Sequence, residues 1–140
     1  MAKPDKVEGI LENLRGYVEK LKHLASLRRE EFLSDFTKVE SAKHLFQVSV
    51  ESCIDVSNHI IASERFRAPK SYAETFEILA EQGIIEKDFL PTLRQMVQFR
   101  NRLVHLYWEV DVEVIHDLLQ KNIGDFDTFT SQILRYLSDH

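Results

Sequence analysis

The chain has 140 residues, 44% of them apolar, a length and balance that suit one domain with its own buried core. A formal net charge of −5 excludes a broad, sequence-blind grip on nucleic acid, which Lys and Arg would have to supply, so any RNA contact is expected to be local. Four glycines and three prolines are too few to punctuate a many-stranded sheet, which leaves helices.

At the N-terminus, charges at Lys3, Asp5, Lys6 and Glu8 occupy the place where an export signal needs an apolar region. From Val7 the apolar residues Val7, Leu11, Leu14, Val18, Leu21 and Ala25 alternate steps of four and three, which predicts a first helix with one packed stripe. A longer helix is predicted from Ser34 or Asp35 to Ser63, apolar on several sides and therefore central. It carries Cys53, the single cysteine, which can form no internal disulfide and reads as a small buried hydrophobe. With no stretch of membrane-span length, a reducing cytoplasm is the expected location.

Pro69, in the segment from Arg65 to Lys70, is expected to end that helix. Ser71 and Glu74 have capping-box spacing, which predicts a short helix over Tyr72 to Gln82 stopped by Gly83. The next helix is predicted from Asp88 as N-cap, through Pro91 in its first turn, to His105 or Tyr107. Asp111 caps a helix reaching Asn122, and Gly124 breaks the chain before a last helix with Phe126, Phe129, Ile133, Leu134 and Leu137. The expected architecture is all-α: an up-and-down bundle of four main helices with short accessory helices, one domain over residues 1–140.

One residue breaks the pattern. Leu90, Leu93, Val97, Val104 and Tyr107 follow heptad spacing, and the vacant position of that stripe holds Arg100. A buried guanidinium needs either a partner, such as Glu51 or Asp55, or a wet cleft. On a regular helix Tyr107 falls about 20° from Arg100, whereas His105 falls about 140° away, near Arg94, Gln98 and Asn101. For Arg100 and His105 to act together, the helix must end or distort before His105, or two chains must pair. Phe89, Met96, Phe99, Leu103 and Leu106 form a second apolar stripe, broader than one bundle is expected to bury, which predicts a homodimer through this helix.

The segment Arg100-Asn101-Arg102-Leu103-Val104-His105-Leu106-Tyr107 resembles the R-x4-H-x-Y signature of HepT-like toxins in the HEPN superfamily. Asp55 to Ile61 and Pro69-Lys70-Ser71-Tyr72 also resemble that family, so the likeness covers most of the chain from the second helix onward. The resemblance implies a metal-independent endoribonuclease with no cofactor, acting as the toxin of a type VII-like HepT/MntA system. It further implies a homodimer whose motif lines an inter-subunit cleft, and a minimal nucleotidyltransferase as antitoxin partner. Arg100 and His105 match the catalytic pair, and Tyr107 matches the tyrosine that the antitoxin modifies with AMP. Asn101 is expected to position His105, and Arg102 to contact substrate phosphate. A modified Tyr107 is expected to protrude into the cleft beside Arg100.

Two other function classes compete. A di-metal helical bundle would need two Glu-x-x-His motifs and two further Glu, and only Glu113 to His116 has the spacing. A non-catalytic HEPN module would use the same helices to bind a nucleotide or a nucleotidyltransferase. Asn58 and His59 read either as cleft lining or as buried hydrogen-bond partners, and Trp108 as closing a core or interface.

Overall fold

The computed structural model of the protein describes residues 4–139. Residues 1–3 and 140 of the expected domain, Lys3 among them, lie outside the described residues. Helix α1 spans Pro4–Ala25, and its predicted stripe from Val7 to Leu21 is buried throughout, with Ala25 partly buried at its end. A short helix α2, Arg29–Leu33, was not legible in the sequence, because five residues are too few to show a period; it is anchored by buried Phe32.

Helix α3, Phe36–Glu64, is the central element, packed against α1 and α2 and against each later helix. Asp35 caps its start, accepting from the Thr37 N–H at 3.0 Å and the Thr37 hydroxyl at 2.6 Å. Those Thr37 bonds, helped by Lys38, hold the Asp35 carboxyl below its ordinary range. The helix ends at Arg65, which is left-handed (φ 58°), while the Phe66 N–H bonds back to Ile61 at 3.0 Å and its ring packs on the core. A fold-back cap, rather than Pro69 four residues on, therefore stops α3.

Helix α4, Tyr72–Glu81, opens as expected with the Ser71 hydroxyl accepting from the Glu74 N–H at 3.1 Å. The reciprocal bond differs, since Glu74 accepts from the N–H of Lys70 rather than from that of Ser71. Gly83 supplies the left-handed stop (φ 73°). Helix α5, Leu90–His105, follows a 3₁₀ turn over Lys87–Phe89; Asp88 lies within that turn and does not cap. Helix α6, Val112–Lys121, is capped by Asp111 as expected. Helix α7, Gly124–Ser138, includes Gly124 as its first residue, so the break falls just before it, and Leu134 is 48% exposed rather than packed.

Among the described residues, four long α-helices (α1, α3, α5, α7) and three short ones make the expected all-α bundle. The second stripe of α5 behaves differently from expectation. Leu103 is buried, and Phe89, Met96 and Phe99 pack on the chain's own core, Phe99 edge-on to Phe46 of α3 at 5.9 Å. Only Leu106 stays outside, at 39% exposure, so that stripe carries no argument for a dimer. Among the described residues no helix is long and apolar enough to cross a membrane.

Candidate active site

One face of α5, formed by Arg94, Val97, Gln98, Asn101, Val104 and His105, lines a cleft of about 970 Å³. The opposite wall is the segment from Pro69 to Thr75, with Asn58 of α3 between. Arg100 and His105 both belong to this lining, although α5 stays helical through His105. Of the two alternatives the spacing left, an end or distortion before His105 does not occur, and one regular helix brings both residues to the lining of this cleft.

Arg100 is held on three sides. Its Nε donates to Glu51 Oε2 at 2.9 Å and its Nη2 stands in ion-pair contact with the same oxygen at 2.8 Å, its Nη1 donates to Asn101 Oδ1 at 3.1 Å, and its guanidinium lies 5.1 Å from the centre of the Tyr72 ring. The pairing with Glu51 is the internal salt bridge that a buried arginine requires, and it coexists with cleft exposure. Asn101 thus serves Arg100 and does not orient His105, as its spacing had suggested. Among the described residues the His105 side chain is exposed and makes no hydrogen bond, which leaves both ring nitrogens open to a ligand. Arg102 is exposed and lies outside the cleft lining.

Tyr107 departs most from expectation. The helix ends at His105, Leu106 (φ −135°, ψ 45°) turns the chain, and Tyr107 opens a 3₁₀ turn over Tyr107–Glu109. The ring is partly buried against the core beneath the Lys43 ammonium, 4.4 Å from its centre, and does not line the cleft. Projecting the helix two residues too far had put it on the Arg100 side.

Asn58 lines the cleft and accepts from the Thr75 hydroxyl at 3.3 Å, whereas His59 lines a separate shallow pocket with Lys6 and Asp55. Burial, then the charge of Glu51, push the Asp55 carboxyl up, with His59 opposing. Trp108, expected in a core or interface, is 76% exposed. Sequence reasoning missed Tyr72 and Lys43; Tyr72 stood inside the Pro-Lys-Ser-Tyr run, whereas nothing marked Lys43. The isolated Glu-x-x-His is otherwise engaged, Glu113 in an ion pair with Arg29 and the His116 ring 5.9 Å from that of Phe32. Among the described residues no cluster of three His, Cys, Asp or Glu is placed to hold a metal.

A family model described as Ribonuclease HepT-like matches residues 14–133. The chain is 32% identical over 103 residues to a Shewanella oneidensis protein named mRNA nuclease HepT, covering 74% of this chain and 77% of that one. It is 26% identical over 133 residues to the tRNA nuclease HepT of Aphanizomenon flos-aquae, covering 94% and 89%. Its fold superposes with a TM-score of 0.87 on a tri-AMPylated Shewanella oneidensis HEPN toxin solved in complex with an MNT antitoxin, at 26% identity, covering 95% and 99% of the two chains.

Proposed function

Because this chain belongs to the HepT-like ribonuclease family, we propose that it is the RNA endonuclease of a HepT/MntA toxin–antitoxin pair, with Arg100 and His105 as its catalytic residues. The observation that carries this assignment is that Arg100 and His105 share one open cleft, Arg100 already fixed in place and His105 free.

RNA carries its own nucleophile. The 2′-hydroxyl loses its proton to a base and attacks the adjacent phosphorus; the new 2′-O–P bond forms as the P–O5′ bond breaks, giving a 2′,3′-cyclic phosphate and a 5′-hydroxyl. A neutral imidazole can take the first proton and an imidazolium can supply the last, the two roles His105 would play. One chain offers one His105, and a homodimer would offer both forms across a shared cleft. Arg100 places fixed positive charge against the crowded phosphoryl oxygens, where preorganisation counts most, and the Glu51 and Asn101 bonds spare it reorganisation during the reaction.

The dimer would form through the exposed apolar side chains that flank His105, namely Val104, Leu106 and Trp108. Tyr107 is the residue proposed to accept AMP from a nucleotidyltransferase antitoxin, which would silence the cleft nearby. Purified protein should cut RNA in the presence of EDTA, leave cyclic phosphate ends, and lose the activity in His105→Ala. Intact RNA, with binding to the nucleotidyltransferase retained, would instead identify a non-catalytic module.

A further inference from the structure

Lys43 is an anomaly that neither the fold nor the cleavage reaction uses. It lies on α3 with only 6% of its surface exposed, and among the described residues it makes no ion pair and no hydrogen bond. Its ammonium rests instead over the Tyr107 ring, 4.4 Å from the centre. The stem of Lys43 is buried while its ammonium keeps contact with solvent and has an aromatic face as its protein neighbour, which leaves its charge unneutralised. Such a charge makes physical sense where an anion arrives.

We infer that Lys43 is the phosphate anchor of the Tyr107 modification site, an inference that rests on the reading of Tyr107 as the residue that accepts AMP. In that transfer the phenolic oxygen attacks the α-phosphorus of ATP held by the nucleotidyltransferase. The Oη–P bond forms as the α–β anhydride bond breaks, pyrophosphate leaves, and the phenol proton passes to water. Oη sits on the rim of the ring that Lys43 covers, so a modest swing of the lysine brings Nζ to a phosphate oxygen. The ammonium then neutralises charge gathering on phosphorus during transfer and remains paired with the phosphodiester afterward.

Arg100 is the other candidate cation, and the geometry disfavours it. Arg100 lines the cleft, held there by Glu51 and Asn101, whereas Tyr107 lies outside the cleft lining. Glu51 also stands eight residues beyond Lys43 on α3, about 12 Å along the helix axis.

The test incubates the purified protein with ATP and its cognate nucleotidyltransferase and follows the Tyr107 adduct by intact-mass and peptide mass spectrometry. Lys43→Met should slow adduct formation by roughly tenfold or more, the consequence of losing one charge-assisted hydrogen bond. Lys43→Arg should restore most of the rate, which a purely structural role would not require. Circular dichroism checks that each variant is folded; if Lys43→Met is not, the contrast between Lys43→Gln and Lys43→Arg replaces it. Wild-type rates in Lys43→Met, or equal losses in the Gln and Arg variants, overturn the inference alone. A wild-type Tyr107 that takes no adduct overturns both the inference and the reading of Tyr107 beneath it.

Discussion

Glu51 Oε2 accepts from Nε of Arg100 at 2.9 Å and lies 2.8 Å from its Nη2 in an ion pair, tying the centre of α3 to α5 at the wall of the cleft. The pair is largely shielded, with 15% of the Arg100 side chain and 31% of that of Glu51 exposed. Removing one partner strands the other charge, so Glu51→Ala should cost about 1–3 kcal/mol in denaturant unfolding. Ribonuclease activity should fall further than stability does, because a loosened Arg100 must reorganise during the reaction. Glu51→Gln, which keeps an acceptor, should lose less of both. Full activity in Glu51→Ala would show that Arg100 needs no such support.

The cleavage reaction makes different demands on its two residues. His105→Ala should lower kcat by roughly 10²- to 10⁴-fold, the usual worth of a positioned acid or base. Arg100→Ala should lower it by about 10²- to 10³-fold through lost stabilisation of the transition state. Both effects should persist in EDTA, measured on labelled RNA with analysis of the 3′ ends. Cleavage abolished by chelation, or normal cutting by the His105 variant, would overturn the mechanism.

Association is predicted to depend on the turn after α5, not on the buried stripe of that helix. Leu106 (39% exposed) and Trp108 (76%) are large apolar side chains open to solvent beside His105. The double variant Leu106→Glu, Trp108→Glu should convert a dimer to a monomer in light scattering at micromolar concentration and lose ribonuclease activity with it. A wild-type monomer that cuts RNA would remove the need for a shared cleft.

Acid should weaken the start of the central helix. The Thr37 bonds and Lys38 depress the Asp35 carboxyl in the folded state, so its stabilisation is present above the unfolded pKa and is lost as pH falls through the depressed folded value. Asp35→Ala should therefore melt below the wild type at neutral pH, and the gap in Tm should narrow once both states are protonated. An equal gap at neutral pH and in acid would mean that the ionised carboxylate contributes nothing to the cap.

The number, type and approximate bounds of the long helices were legible in the sequence because apolar periodicity and capping chemistry act within a few residues of the chain. Val7 to Leu21 on α1 and the Ser71 and Asp111 caps are examples. The motif itself was legible for the same reason, since Arg100, His105 and Tyr107 lie within eight consecutive residues. Periodicity also exposed Arg100 as an intruder and supplied Glu51 as one of two candidate partners. It could not choose between them, nor show that Asn101 turns to Arg100 rather than to His105. Extending the helix beyond His105 put Tyr107 on the wrong side, because a chain turn at Leu106 leaves no local signature. The meetings of Arg100 with Glu51, 49 residues apart, and of Tyr107 with Lys43 were decided only by the tertiary structure. How far each helix is rotated about its own axis when it packs determines which polar groups face each other, and the packing of the whole core sets that rotation.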